Sequence, residues 1–281
     1  MDLVNPQSST IIFGFDSAWT DAPKAPGAIC AVAFDERGRV QFHEPRLVSF
    51  TEAHRFIDGL RKDFFVSLVA LDQPTVVPNA AGSRPVDKVA ASLVSFVGGG
   101  VQPANRSKIG MFCDASPIWS FISGLDATED PIQARTASAG HFLIEVFPAL
   151  ALPALDDGFS QRLCAPKYNP QNRKKFRLED WQAVARVVER SAERFNVPGL
   201  AEWAHQMRNA AQPRKSDQDK LDAAICALIG LCWRAGPTAH SAFLGDVVHG
   251  YMVTPISDAT WPRLQQAAIR RGVPTSQDVG S

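Results

Sequence analysis

No Cys-x-x-Cys pair occurs in this chain, and its five cysteines (Cys30, Cys113, Cys164, Cys226 and Cys232) form an odd, scattered set. That argues against a disulfide framework and against a structural zinc site, so the cysteines read as reduced, mostly core residues. A charge excess is also missing, because Lys plus Arg and Asp plus Glu number 29 each. Nothing global therefore demands nucleic acid, a membrane surface or an acidic partner, and any charge-driven binding has to be local. No segment is long enough to span a bilayer, and the N-terminus has neither the basic start nor the apolar stretch of a signal peptide. The expectation is a cytoplasmic protein with no membrane partner. Internal repeats are absent, and the histidines show no metal-ligand spacing.

What is present is a repeated ending. The apolar run Ile11-Ile12-Phe13-Gly14-Phe15 stops on Asp16, and two later runs close on Asp72 and Glu145. An apolar run of this length reads as a strand buried on both faces, and a carboxylate at its end is costly unless partnered or metal-bound. Three such endings point to one acidic site at a sheet edge. A further contribution comes from Asp217-Gln-Asp219-Lys-Leu-Asp222, where an acidic start runs into an apolar helical pattern. Asp219 and Asp222 are three residues apart and share a helix face.

The order of elements follows from the same patterns. Strands are expected at 11–16, 28–34 and 40–50, with Glu36-Arg-Gly38 as the turn of a hairpin. Thr51 is the candidate N-cap of a helix to about Lys62, and Val66 to Asp72 is a strand stopped by Gln73-Pro74. Residues 74–140, rich in Gly, Pro and Ser, read as an insertion with short helices, of a size that usually forms a lid or substrate wall. A strand at 142–147, a helix at 178–195 and a buried helix capped by Ser216 or Asp217 follow. Residues 247–253 then read as a short closing strand. This makes one α/β domain over 1–255, with an appended helix and tail at 256–281.

The order of elements and the places of the carboxylates resemble the ribonuclease H-like superfamily, whose mixed five-stranded sheet carries acidic residues on its first and fourth strands and its last helix. The chain is most similar to a family of predicted RNase H-like nucleases, number 429 in the domain-of-unknown-function series. The matching motifs are Gly14-Phe-Asp16, Leu71-Asp72-Gln-Pro74 with Arg84-Pro-Val-Asp87, Glu145-Val-Phe-Pro148, and Asp219-Lys-Leu-Asp222-Ala223. The resemblance spans most of residues 11–255 and implies a nuclease.

The oxygens set the expected chemistry. Carboxylates without a His or Cys ligand set favour Mg2+ or Mn2+ over zinc. Two such ions, roughly 3.5 to 4 Å apart, would clamp a phosphodiester, one activating water and the other stabilising the leaving oxygen. In this reading Asp16 bridges both ions, Asp72 and Asp222 each hold one, and Asp219 and Glu145 support them. The expected partner is nucleic acid, DNA or RNA, or a small phosphodiester. Arg84 and Arg106 are candidate phosphate clamps, the basic cluster Arg173-Lys174-Lys175 a candidate backbone site, and Tyr168 or Phe176 a candidate stacking platform.

Each residue also has an alternative. Asp16 could cap a turn with Ser17 and Thr20, and Asp72 could be an ordinary turn residue. Glu145 could pair with a nearby Arg, and Arg84 with Asp87. Asp217, Asp219 and Asp222 could serve a helix dipole, and the basic cluster could be solvated surface. His141 is a candidate proton shuttle or a structural histidine. Gly98-Gly99-Gly100 lacks the Lys and the strand-loop-helix setting of a nucleotide loop and reads as a hinge. The functional alternatives are a catalytically silent binding module and an actin or sugar-kinase type of nucleotide-dependent enzyme. The latter needs a duplicated domain that this chain is too short to hold.

Overall fold

The computed structural model describes residues 9–18, 21 and 26–276. Thr20, most of the N-terminal segment read for targeting, and the tail beyond Ser276 lie outside the described residues. The chain runs β1 (Thr10–Asp16), β2 (Gly27–Phe34), β3 (Val40–Val48), α1 (Phe50–Arg61) and β4 (Val66–Leu71). The segment that follows holds α2 (Pro85–Val94), α3 (Pro117–Leu125) and α4 (Pro131–Thr136) before β5 (Gly140–Glu145). Then come α5 (Pro148–Leu155), α6 (Leu178–Arg194), α7 (Pro198–Arg208), α8 (Lys215–Ala235), β6 (Ser241–Asp246), β7 (Gly250–Pro255) and α9 (Trp261–Arg271).

Five strands form one mixed sheet in the order β3-β2-β1-β4-β5, antiparallel on the β2 and β3 side and parallel from β1 through β4 to β5. Helices cover both faces, which is why β1, β2 and β4 are buried and mostly apolar along their length rather than alternating. Ile12, Leu68, Ala70 and Ile144 pack on α6 and α8, and Ile11, Phe13, Phe15 and Leu71 pack on α1 and α3. Phe15, Phe50 and Phe121 meet with ring centroids 5.0 to 5.9 Å apart.

Several details differ from the sequence reading. Ser49, not Thr51, caps α1, because Ser49 and Glu52 form a reciprocal capping box, while Thr51 bonds Asp21. Helix α8 begins at Lys215, so Ser216 and Asp217 lie inside it, and Asp217 instead accepts the Arg214 N–H at 2.8 Å. The closing strand is β7, preceded by the unanticipated β6; the two form a separate hairpin joined to the sheet by the Val146–Val253 bridge. Helices α5 and α7 were also unanticipated. The segment between β4 and β5 is more than a lid, since α3 supplies Ile118, Phe121 and Leu125 to the core. The appended helix is α9, whose Leu264, Ala267 and Ala268 pack on Val86, Val89 and Ala90 of α2. Among the described residues no cysteine is bridged, and no helix is long and apolar enough to cross a membrane.

Candidate functional site

Register decides which carboxylates meet. Phe15 pairs with Leu71, and Leu71 with Glu145, across the three parallel strands. Side chains alternate between faces, so Asp16 and Asp72, each one residue further on, lie on the α8 side of the sheet, and Glu145 lies on the other. The Asp72 N–H donates to Phe15 O at 2.8 Å, which carries the ladder to the carboxylate itself. Gly14 sets the distance to α8. A Cβ there would stand 2.1 Å from the Ala223 carbonyl oxygen and 2.3 Å from the Ala227 nitrogen, so a residue with no side chain is what lets the helix bring Asp219 and Asp222 to the strand ends.

The four aspartates interact strongly. Burial raises the pKa of Asp16 well above the usual range, and repulsion from Asp222, Asp72 and Asp219 raises it further. Asp72 is raised by burial and then by Asp222 and Glu145. Burial pushes Asp222 up to about 6, against three stabilising neighbours. Its Oδ1 accepts the Tyr168 hydroxyl at 2.6 Å and its Oδ2 accepts Gln218 Nε2 at 3.0 Å, while Lys215 is the third. Lys215 Nζ lies 2.5 Å from Asp219 Oδ1. Burial works against its charge, but Asp219, with Asp16 and Asp222, raises its pKa. An all-oxygen, anionic set in which Asp16, Asp72 and Asp222 hold their protons tightly is of a kind that fits a hard divalent cation. Among the described residues, no three Asp, Glu, His or Cys side chains stand together in ready-made ligand geometry.

A second carboxylate group lies on the opposite face, around Arg84. This guanidinium is fully buried with Asp87 and Glu145. Its Nε and Nη2 donate to Asp87 Oδ1 at 3.0 and 2.8 Å, and its Nη2 and Nη1 donate to the two Glu145 oxygens at 2.6 and 2.8 Å. Nη1 also donates to Val76 O at 3.0 Å, so all five N–H groups of the fork are used. Burial opposes the guanidinium's charge, and the two carboxylates outweigh it and raise its pKa. Burial lifts Glu145 to about 7 in spite of Arg84. Thr75 N–H donates to Glu145 Oε2 at 3.0 Å, and Ala104 N–H to Asp87 Oδ2 at 3.2 Å. Gly250, at φ 102°, makes room, because a Cβ there would meet Arg84 Cδ at 2.7 Å.

The family described as a protein of unknown function, DUF429, matches residues 14–244. The chain belongs to that family. No curated protein and no solved structure matches it. The DUF429 span contains both carboxylate groups, the segment between β4 and β5 and all but the last two residues of β6; β7 and α9 fall beyond it.

The remaining candidates of the DUF429 chain separate into those near the aspartates and those held elsewhere. Tyr168 stands at the site through its hydroxyl bond to Asp222, a different use from base stacking. Arg173 and Lys174 are exposed on the loop that leaves Tyr168. Arg84 is corrected from phosphate clamp to buried ion-pair centre, since it has no N–H left to offer. Glu145, with both oxygens on Arg84, stands in the ion pair that was the alternative to supporting a metal. Arg106 stacks over Trp119 at 4.2 Å, donates to Val77 O at 2.8 Å through Nε and pairs with Asp114 at 3.2 Å through Nη1, contacts that all lie within the segment between β4 and β5. His141 bonds Ser67 at 2.9 Å, four residues back along β5 from Glu145 and about 13 Å away at strand rise, which removes it as a proton shuttle. Gly98 accepts Lys167 Nζ at 2.8 Å, fixing the glycine segment to the start of the Tyr168 loop.

Sequence reasoning missed Lys215, Gln218, Ser17 and Gln73. Lys215 and Gln218 each precede an aspartate of α8 by four residues, a helical spacing that becomes readable once the helix is started at Lys215. Ser17 donates to Gln73 Oε1 between the two strand ends, a contact with no local sequence signal.

Proposed function

We propose that this chain is a metal-dependent phosphodiesterase acting on nucleic acid, built on a ribonuclease H-like sheet. The observation that carries the reading is the convergence of Asp16, Asp72, Asp219 and Asp222 at one sheet edge, with Lys215 as the cation that the stated interactions place among them. The strand order and the acidic ends of β1 and β4 support the ribonuclease H-like assignment. Asp16, Asp72 and Asp222 would hold Mg2+ or Mn2+, with Asp219 beside them. Bound there, a pair of these ions supplies an activated water and charge neutralisation at the phosphate. Tyr168 and Gln218 orient the Asp222 carboxylate from both oxygens, as outer partners of metal ligands do. Lys215 restrains Asp219 and offsets part of the negative charge that a phosphate would meet. Arg173 and Lys174, exposed on the loop that follows Tyr168, would meet the backbone of a bound strand.

The deciding experiment is cleavage of labelled DNA and RNA in Mn2+ or Mg2+ by the wild type and by Asp16→Asn, with folding checked by thermal unfolding. The expected outcome is metal-dependent cleavage that Asp16→Asn abolishes without loss of fold. Cleavage that persists with the metal fully chelated refutes the mechanism. A second reading, a catalytically silent binding module, is favoured by one observation: Asp222 and Asp219 are already satisfied by Tyr168, Gln218 and Lys215. Anomalous scattering from Mn2+-soaked crystals separates the two, with peaks among the aspartates expected for the enzyme and none for the module.

A further inference from the structure

Beside the aspartates lies a cavity of about 190 Å³ whose walls include Pro74, Val101, Phe112, Phe147 and Met252. Asp16, Asp72, Asp87 and Glu145 also line it, and no Lys, Arg or His does. A phosphate is therefore repelled from this cavity, since all its charged lining is acidic and two of the four carboxylates lack the Arg84 partner that Asp87 and Glu145 share. A flat, neutral ring carrying N–H donors is accepted: apolar walls take its faces, and Glu145 Oε1, which accepts one bond from Arg84 Nη2 and has a second lone pair, takes its edge. The volume falls below the roughly 300 Å³ at which pockets for drug-sized ligands begin, so it has room for one ring system and not for a base pair. A second observation points to a missing partner. Gln73 is 2 % exposed, its Oε1 accepts from the cavity-lining Ser17, and its Nε2 has no hydrogen-bond partner among the described residues.

We infer that this cavity receives a single unpaired nucleobase with an exocyclic amino group, so that the chain acts on single-stranded ends or splayed nucleotides and not on intact duplex. The inference rests on the proposed phosphodiesterase reading and names its substrate class. The base enters the cavity, its phosphate stays at the aspartates, and duplex is rejected because its bases stay stacked.

The test is calorimetric titration, in Mn2+, of deoxyadenosine monophosphate and of 2-deoxyribose 5-phosphate into the wild type and Val101→Trp. Val101 is only partly buried, so the larger ring fills the cavity from its edge. Wild type should bind the nucleotide on the order of tenfold more tightly than the sugar phosphate, the usual worth of one stacked base. Val101→Trp should bring nucleotide affinity down to the level of the wild-type sugar phosphate. Equal affinity for the two probes in wild type, or unchanged nucleotide affinity in Val101→Trp, overturns the pocket. Cleavage of one labelled oligonucleotide, single-stranded and as duplex, identifies the source of the base. Faster cutting of the single strand supports a base delivered on a strand. Nucleotide selectivity without cleavage of either form supports a pocket for free nucleotides and strikes the phosphodiesterase reading alone. Selectivity with duplex cut as fast as single strand overturns the inference and leaves that reading standing.

Discussion

Two acidic groups stand at the same sheet edge, one residue of register apart, and their surroundings are opposite. Around Arg84, two carboxylates share a guanidinium whose every N–H is used, within a fully buried shell. On the α8 face, four aspartates are matched to one half-exposed lysine, and Asp16 and Asp72 are raised by mutual repulsion as well as burial. A guanidinium so saturated is structural, because it has no N–H left to offer a ligand. An undersatisfied group at the surface retains binding capacity, and it is maintained only if the rest of the fold tolerates its repulsion.

The sharpest way to break this contrast is Arg84→Leu, which removes the one cation between Asp87 and Glu145. Leaving both buried without it costs about 3 to 5 kcal/mol, read from the urea midpoint, and Arg84→Lys should recover little because an ammonium cannot form the two-pronged contacts. A loss under about 1 kcal/mol would mean the network is no more structural than an exposed ion pair.

The aspartate group should show the opposite dependence on conditions. Asp222 binds its proton more tightly folded, at about 6, than unfolded, so between about pH 4 and 6 the folded state carries the extra proton. Stability of the metal-free protein is therefore highest on the acid side of that window and falls as pH rises through 6, by on the order of 2 to 3 kcal/mol. Saturating Mn2+ should flatten the slope, and stability rising with pH in the metal-free protein would contradict the charge assignment.

Smallest is Tyr168→Phe, which deletes one hydrogen bond to Asp222 and keeps the ring. It should weaken Mn2+ binding about 10- to 100-fold, as loss of an outer partner does, with little change in thermal stability. Unaltered Mn2+ affinity would place Asp222 outside the metal set.

The sheet was legible because β1, β2, β4 and β5 are continuous apolar runs, and the cluster was legible because a carboxylate closes three of them. What was not legible is the face of each carboxylate. Asp16, Asp72 and Glu145 look alike as run endings, and only the Phe15–Leu71–Glu145 register, which depends on inter-strand hydrogen bonds, sends one of them the other way. Arg84 and Glu145, 61 residues apart, form a pair that no local pattern announces. The helix starts were displaced for a related reason: Ser49 and Thr51 are both cap-forming types, and the choice went to the one whose third neighbour, Glu52, closes the box. Strand β6 was hidden because Gly245 and its polar ends blur the alternation, and its partners are β7 and the distant Thr275 bridge.

Gly14 bears on how this protein can vary over generations. An aspartate can be traded for another oxygen ligand with the backbone untouched, but the contact between Gly14 and Ala223 has no smaller residue to retreat to. Adding a single methyl group at that position forces strand and helix apart by on the order of an ångström, and with them the two halves of the aspartate group. For the proposed phosphodiesterase, displacement of that size, about 1 Å, would cost a rate on the order of 10²-fold. The most restrictive position of the site is thus one that bears no chemistry of its own, and a survey of natural variation that looked only at the acids would overlook it.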